Sequence, residues 1–239
     1  MSGPSVLDAW LGEKHSLYNK DSSFKCDDTC PRYGCRGDLL VDASLFEIYA
    51  LAKYLQRPVA ETFKRYFSLA PFVEHGFDRV RVRFALSKPC PFLNEKGYCT
   101  VYEKRPAACA LFPEYLSIAG TIDSYVEFPC VSYAGDVPES RKDALKNLFS
   151  MHSKEMYAGE IYLFGCAGYT VDIREEIACR RGNAAGDEVS FGIQREALQA
   201  ALNRNGRLRR IHEKTESLDA PGGIEQLFLG MKIVDALKL

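Results

Sequence analysis

Cysteine spacing constrains this chain more than any other feature. Cys26, Cys30 and Cys35 lie together in "FKCDDTCPRYGCRGD", while Cys90, Cys99, Cys109 and Cys130 form a second group. In the first group, three residues separate Cys26 from Cys30 and four separate Cys30 from Cys35. The intervening Asp, Thr, Pro and Gly are turn formers. The segment therefore reads as a loop able to close around an ion, with thiolates as ligands for zinc or iron. Such a loop also frees backbone N–H groups to hydrogen-bond to sulfur.

The second group is spaced by 8, 9 and 20 residues, too widely for any pair to act without folding. Most of it lies in "CPFLNEKGYCTVYEKRPAACALFP", residues 90–113. Pro91, Pro106 and Pro113 fix bends there and remove hydrogen-bond donors. A stiff loop loses less entropy when it closes on a metal. Arg105 is read either as a guanidinium set against metal-bound sulfurs or backbone carbonyls, or as an ordinary surface arginine. Buried structural thiols and a redox disulfide switch are the competing readings of the two groups. Cys166 and Cys179 each stand alone, and ordinary packing is expected for them.

Compartment decides between these readings. Nine cysteines, an odd number, fit metal or redox chemistry better than a disulfide framework if the chain lives in a reducing cytoplasm. The start, "MSGPSVLDAWLGEKHSLYNK", has neither a basic n-region nor an unbroken apolar stretch, so no signal peptide is expected. No run reaches the ~18 apolar residues of a membrane span. Net charge is −1 and the isoelectric point about 6.4, so no global field recommends nucleic acid or membrane. A length of 239 residues with 46% apolar content is ample for a core.

The scaffold between the groups is ordered. "DASLFEIYALAKYLQ" predicts a helix, with Ser44 and Glu47 as a capping box. "RPVAETFKRYFSLA" predicts a second, in which Val59, Phe63, Tyr66, Phe67 and Ala70 share a face. "DRVRVRFAL" alternates with period two and predicts a strand. "EYLSIAGTIDSYVEF" reads as a returning hairpin around Gly120. Further on, "ESRKDALKNLFSMHSKEMYAGEIYLF" is helical, with Leu145, Leu148, Phe149, His152 and Met156 on one stripe. On that stripe, His152 is expected to pack rather than ligate. "RRGNAAGDEVSFG" is a loop. "IQREALQAALNRNGRLRRIHEK", interrupted at Gly206, and "GGIEQLFLGMKIVDALKL" predict two last helices. His75 is a candidate extra ligand; Asp27 and Asp28 are turn formers.

These residues resemble the YkgJ-like cysteine-cluster family, described as zinc- or iron-chelating, whose relatives include flagellin lysine N-methylase. The family element C-P-F-L, C-x-[IV]-Y-x-x-R-P-x-x-C, [FY]-P is matched by "CPFL" at 90–93, "CTVYEKRPAAC" at 99–109 and "FP" at 112–113. Cys130 in "EFPCVSY" looks like the later family cysteine. The family's first cluster carries an adjacent cysteine pair, which this chain lacks, and Cys35 stands for the last of the usual four. The resemblance covers residues 24–135.

The resulting expectation is an α+β, mainly helical fold. It has a cysteine-rich irregular metal-binding core over 24–135, a small antiparallel sheet, and a helical part over 136–239 packed with it as one globular unit. The resemblance implies zinc or an iron–sulfur cluster, with [4Fe–4S] favoured. The expected ligands are Cys26, Cys30, Cys35, Cys90, Cys99, Cys109 and Cys130, more thiols than the four that either centre needs. A structural or electron-transfer role is expected. The alternatives are a cluster-dependent protein lysine N-methyltransferase, acting on a protein substrate, and metal storage, delivery or sensing. No G-x-G nucleotide loop follows a strand, so the enzyme reading rests on the resemblance.

Overall fold

Ser44 starts the helix on which the motif loop rests. Its hydroxyl accepts from the Glu47 N–H at 3.1 Å, and the Glu47 carboxylate accepts from the Ser44 N–H at 2.9 Å, closing the expected capping box. In a computed structural model of the chain, the described residues are 6–22, 24, 32–37, 39–73, 80–120, 137–164, 199–203 and 206–238. Cys26, Cys30, Cys130, Cys166, Cys179, Asp27, Asp28, His75 and the expected loop at 180–192 lie outside them.

The architecture is α+β and mainly helical, as the sequence implies. In chain order it runs α1 (Val6–Leu17), α2 (Tyr33–Arg36), β1 (Asp42–Ala43), α3 (Leu45–Tyr54), α4 (Val59–Tyr66), β2 (Phe67–Val73), β3 (Val80–Leu86), a 3₁₀ turn (Tyr102–Lys104), α5 (Ala107–Leu111), α6 (Leu116–Ala119), α7 (Glu139–Phe164), α8 (Arg207–Ser217) and α9 (Gly223–Leu237). The small antiparallel sheet has the strand order β1–β3–β2. No described helix is long and apolar enough to cross a membrane.

The chain divides into two compact units, Met1–Gln56 with Leu86–Met156, and Arg57–Ala85 with Tyr157–Leu239. In the first, the end of α1, α5 and α7 share a core that includes Leu17, Tyr18, Ala107, Leu111, Leu145 and Leu148. Arg141 is fully buried beside it. Its guanidinium donates to Glu114 at 2.7 and 2.9 Å and to the carbonyls of Leu17, Tyr18 and Lys20. It thereby closes the carbonyl-rich end of α1. Phe149, expected on the apolar stripe, is instead 42% exposed and stacks on Tyr115 at 4.6 Å.

In the second unit, Phe63 of α4 meets Phe84 edge-on at 4.9 Å and His212 of α8 at 5.9 Å. Gly206 interrupts the helical sequence as expected, with φ +62 at the start of α8. The α4 start follows Pro58, which has no side-chain acceptor to offer. Asp219 supplies one, accepting from Val59 N–H at 2.7 Å and from Ala60 N–H at 3.3 Å.

Two expectations are corrected. The second helix ends at Tyr66 rather than Ala70, and Phe67–Val73 is a strand. Pro71 disfavours helical backbone at Ala70, and Phe67 already has extended geometry with φ −124. The supposed hairpin arm before Gly120 is helical over Leu116–Ala119. Gly120, at φ +66, closes that turn in the left-handed conformation instead of reversing a strand.

Candidate metal centre

The motif loop folds through short-range bonds its sequence encodes. Asn94 and Gly97 close a tight turn, with Gly97 N–H donating to the Asn94 carbonyl at 2.9 Å and Gly97 at φ +79. Tyr98 N–H donates to the Asn94 carboxamide oxygen at 2.9 Å. The turn sets Leu93 opposite Cys99 in an antiparallel bridge, and Thr100 N–H donates to the Phe92 carbonyl at 2.8 Å. This miniature hairpin carries Cys90 and Cys99 on its two arms. Pro106 then starts α5, which carries Cys109.

Cys35, from the first cysteine group, joins them through backbone. Cys90 N–H donates to the Cys35 carbonyl at 2.8 Å. Arg32 Nε donates to the Gly97 carbonyl at 2.8 Å, and its guanidinium lies 5.5 Å from the Tyr98 ring centre. The Lys88 ammonium donates to the Gly34 carbonyl. Cys35, Cys90, Cys99 and Cys109 thus line one cavity of about 360 Å³, together with Phe24, Phe92, Phe112 and Tyr18.

Thiols so placed affect one another's ionisation. Burial pushes the Cys109 thiol up, and the neighbouring Cys35 and Cys90 add to the rise. Burial also raises Cys99, with Cys90 adding and the Val101 N–H opposing. Without a cation, burial favours the neutral thiols of Cys99 and Cys109; a metal ion beside them would reverse that preference. Cys90, Cys99 and Cys109 carry free thiols.

Arg105 is buried rather than on the surface. Its guanidinium donates to the Tyr102 carbonyl at 2.6 Å and to Asn19 Oδ1 at 2.9 Å, and it stacks 3.7 Å from the Tyr102 ring centre. It forms part of the cavity wall, and its charge favours the Cys99 thiolate against the larger, opposing effect of burial. Backbone carbonyls, one of its two expected targets, are met through Tyr102.

Sequence reasoning missed a second charged cluster beside the loop. Glu47, His152 and Glu155 bring ligating atoms within 4.8 Å of one another, and all three are buried. The cluster already holds a cation. Lys14, with no exposed surface, donates to Glu47 Oε1 at 2.6 Å and to Glu155 Oε2 at 2.5 Å. Trp10 and Ser44 donate to the two Glu155 oxygens at 2.7 and 2.5 Å. The carboxylate oxygens a metal would use are thus engaged by protein donors. Burial alone would depress the Lys14 amine, but Glu155 and Glu47 raise it above its usual value. His152 sits 3.3 Å from Glu47 and 3.5 Å from Asp42. Burial opposes its charge, yet these carboxylates lift it to about 9. The available sequence signal was Lys14 itself, which continues the apolar stripe of Leu7 and Leu11 on α1.

A mainly helical α+β chain with cysteines from separate segments around one cavity has the layout of a metal-chelating protein. Residues 25–134 match the CxxCxxCC family model, described as a "putative zinc- or iron-chelating domain". It is the cysteine-cluster family that residues 24–135 resemble in sequence. No curated protein and no solved structure is significantly similar to the chain. Zinc or iron binding is thereby supported at the level of the domain.

Proposed function

We propose that Cys35, Cys90, Cys99 and Cys109, joined by Cys26, Cys30 and Cys130, hold zinc or an iron–sulfur cluster as thiolates, in a structural or electron-transfer role. The observation that carries this reading is the convergence of the four described cysteines, from three chain segments, on one cavity. The donor set fits: soft thiolates suit zinc and iron–sulfur clusters alike. The cavity is also roomy. Its volume of about 360 Å³ leaves room for either centre.

Zinc would supply a closed structural tie, and a cluster would supply a one-electron couple. The chain's own residues do the rest. The aromatic side chains make the cavity wall largely apolar, the Cys35–Cys90 backbone bond sets the register of two ligand segments, and Arg105 contributes positive charge near Cys99. A reducing, cytoplasmic setting belongs to the same proposal, because it keeps such thiols available. The functional region is taken as 24–135, with 136–239 as its helical companion.

The test is anaerobic purification followed by a visible absorbance spectrum and iron, zinc and sulfide assays on one sample. A coloured protein with matched iron and sulfide, or a colourless one with stoichiometric zinc, is the expected result. Neither metal above background would overturn the reading.

A further inference from the structure

Helix α5 opens with a donor that its own cap does not satisfy. Pro106 occupies the cap position and offers no side-chain acceptor, so the Ala107 N–H at the first helical position has no local partner. The bond is made from elsewhere: Glu47 Oε1, on the first turn of α3, accepts from Ala107 N–H at 2.8 Å in a fully buried setting. Two residues on, Cys109 faces the metal cavity. Glu47 is held in turn by Lys14 at 2.6 Å and by the Ser44 N–H at 2.9 Å. Asp219 does the same at Val59, so a distant carboxylate after a cap proline recurs among the described residues.

We infer that Glu47 is a positioning residue of the metal centre: through the Ala107 N–H it fixes α5, and so the place of Cys109 in the ligand set. This rests on the reading of Cys109 as a ligand. It adds a function to a carboxylate that also caps α3 and pairs with Lys14 and His152. Partners that hold ligands in place typically change metal affinity by ~10–100-fold when removed. The Lys14 and His152 charges stabilise the carboxylate form of Glu47, against the cost of burying it.

Ala107→Pro tests it by removing the donor. Proline suits the first helical position and follows Pro106 in compatible geometry, φ −54 and ψ 147. The substitution deletes the one N–H, and because the ring carbon takes the place of the hydrogen it also moves the Glu47 carboxylate away from Ala107. Zn²⁺ affinity is measured on the full, reduced, metal-stripped chain by competition with a chromophoric chelator, and zinc-free stability by denaturant. The expected result is ~10–100-fold weaker zinc binding together with a lowered zinc-free midpoint.

Glu47→Gln is the complementary variant. Its amide oxygen should take the Oε1 side, where Lys14, Ala107 and His152 converge, so the Ala107 bond survives while the charge is lost. It should lower stability yet keep the wild-type zinc affinity. Gly230→Ala, a destabilising change in the second unit, should behave like Glu47→Gln. Wild-type zinc affinity in Ala107→Pro would overturn the positioning role alone, as would equal affinity losses in all three variants. Wild-type protein that binds no zinc would overturn this inference, and if it also carries no iron–sulfur cluster the thiol-ligand reading falls with it. If Ala107→Pro does not fold, Glu47→Gln decides: retained affinity at lowered stability supports the role, and lost affinity overturns it.

Discussion

Cys90 donates its backbone N–H to the carbonyl of Cys35 at 2.8 Å, tying together two cysteines that 54 residues separate in sequence. The bond uses main-chain groups only. It sets the register of the two cysteine segments without help from the thiols, so if these thiols bind metal, part of the ordering cost is met by folding.

Cys99→Ala should therefore remove metal without unfolding the motif loop. Cys99 pairs with Leu93 through backbone, which alanine preserves. Metal content should fall sharply, and the unfolding midpoint of the metal-loaded protein should fall with it. After chelator treatment, wild type and variant should unfold at nearly the same denaturant concentration. Unchanged metal content and midpoint would remove Cys99 from the ligand set.

Stability should decline with alkali through His152. Its pKa rises from 6.5 to about 9 on folding, so its contribution is full below pH 6.5 and is lost as pH climbs through about 9. At ~1.4 kcal/mol per pKa unit, that is about 3 kcal/mol. Glu47 acts in the opposite sense. Its folded value is lowered, because Lys14 and His152 outweigh burial, so its contribution holds above pH 4.5 and fades as pH falls further. Denaturant curves across pH 6 to 10 should show wild type losing stability and His152→Gln losing less. Equal slopes would exclude His152 as the source.

Lys14→Met should be severe. It leaves Glu47 and Glu155 buried without their shared cation, a change that costs about 3–5 kcal/mol in comparable sites. Adding Glu155→Gln removes one of the two charges, so the double variant should be more stable than Lys14→Met alone. Chemical denaturation of both checks this, and a double variant no better than the single would argue against a charge-based penalty.

Gly230→Ala separates stability from metal. The added methyl would lie 2.8 Å from the Ala158 carbonyl oxygen, a backbone atom that cannot swing aside. Alanine gains up to ~1 kcal/mol of helix propensity, but overpacking typically costs ~1–3 kcal/mol. A modest net loss of stability is expected, with metal content unchanged. Loss of metal in proportion to stability would contradict it.

Much of the scaffold was legible because it follows local rules. The Ser44–Glu47 box, the α7 span from Glu139 to Phe164 and the break at Gly206 each rest on residues within a few positions of one another. The strand at Phe67–Val73 was misread because its apolar residues continue the helical stripe of α4, and Pro71 was the overlooked signal. The convergence of Cys35, Cys90, Cys99 and Cys109 on one cavity could only be an expectation, since it depends on a backbone bond between remote segments. Lys14 was signalled only by its place on the apolar stripe of α1, and Glu155 and the second role of Glu47 were invisible for a related reason. A charged residue looks solvated in sequence, and only the packing of α1, α3 and α7 shows which charges are buried against each other.

The most direct test of the central claim is X-ray absorption at the K-edge of whatever metal copurifies with the full chain. Thiolate ligation from the cysteine-lined cavity predicts a first shell of sulfur near ~2.3 Å. A first shell of nitrogen and oxygen near ~2.0–2.2 Å, as the Glu47–His152–Glu155 cluster would provide, would contradict it.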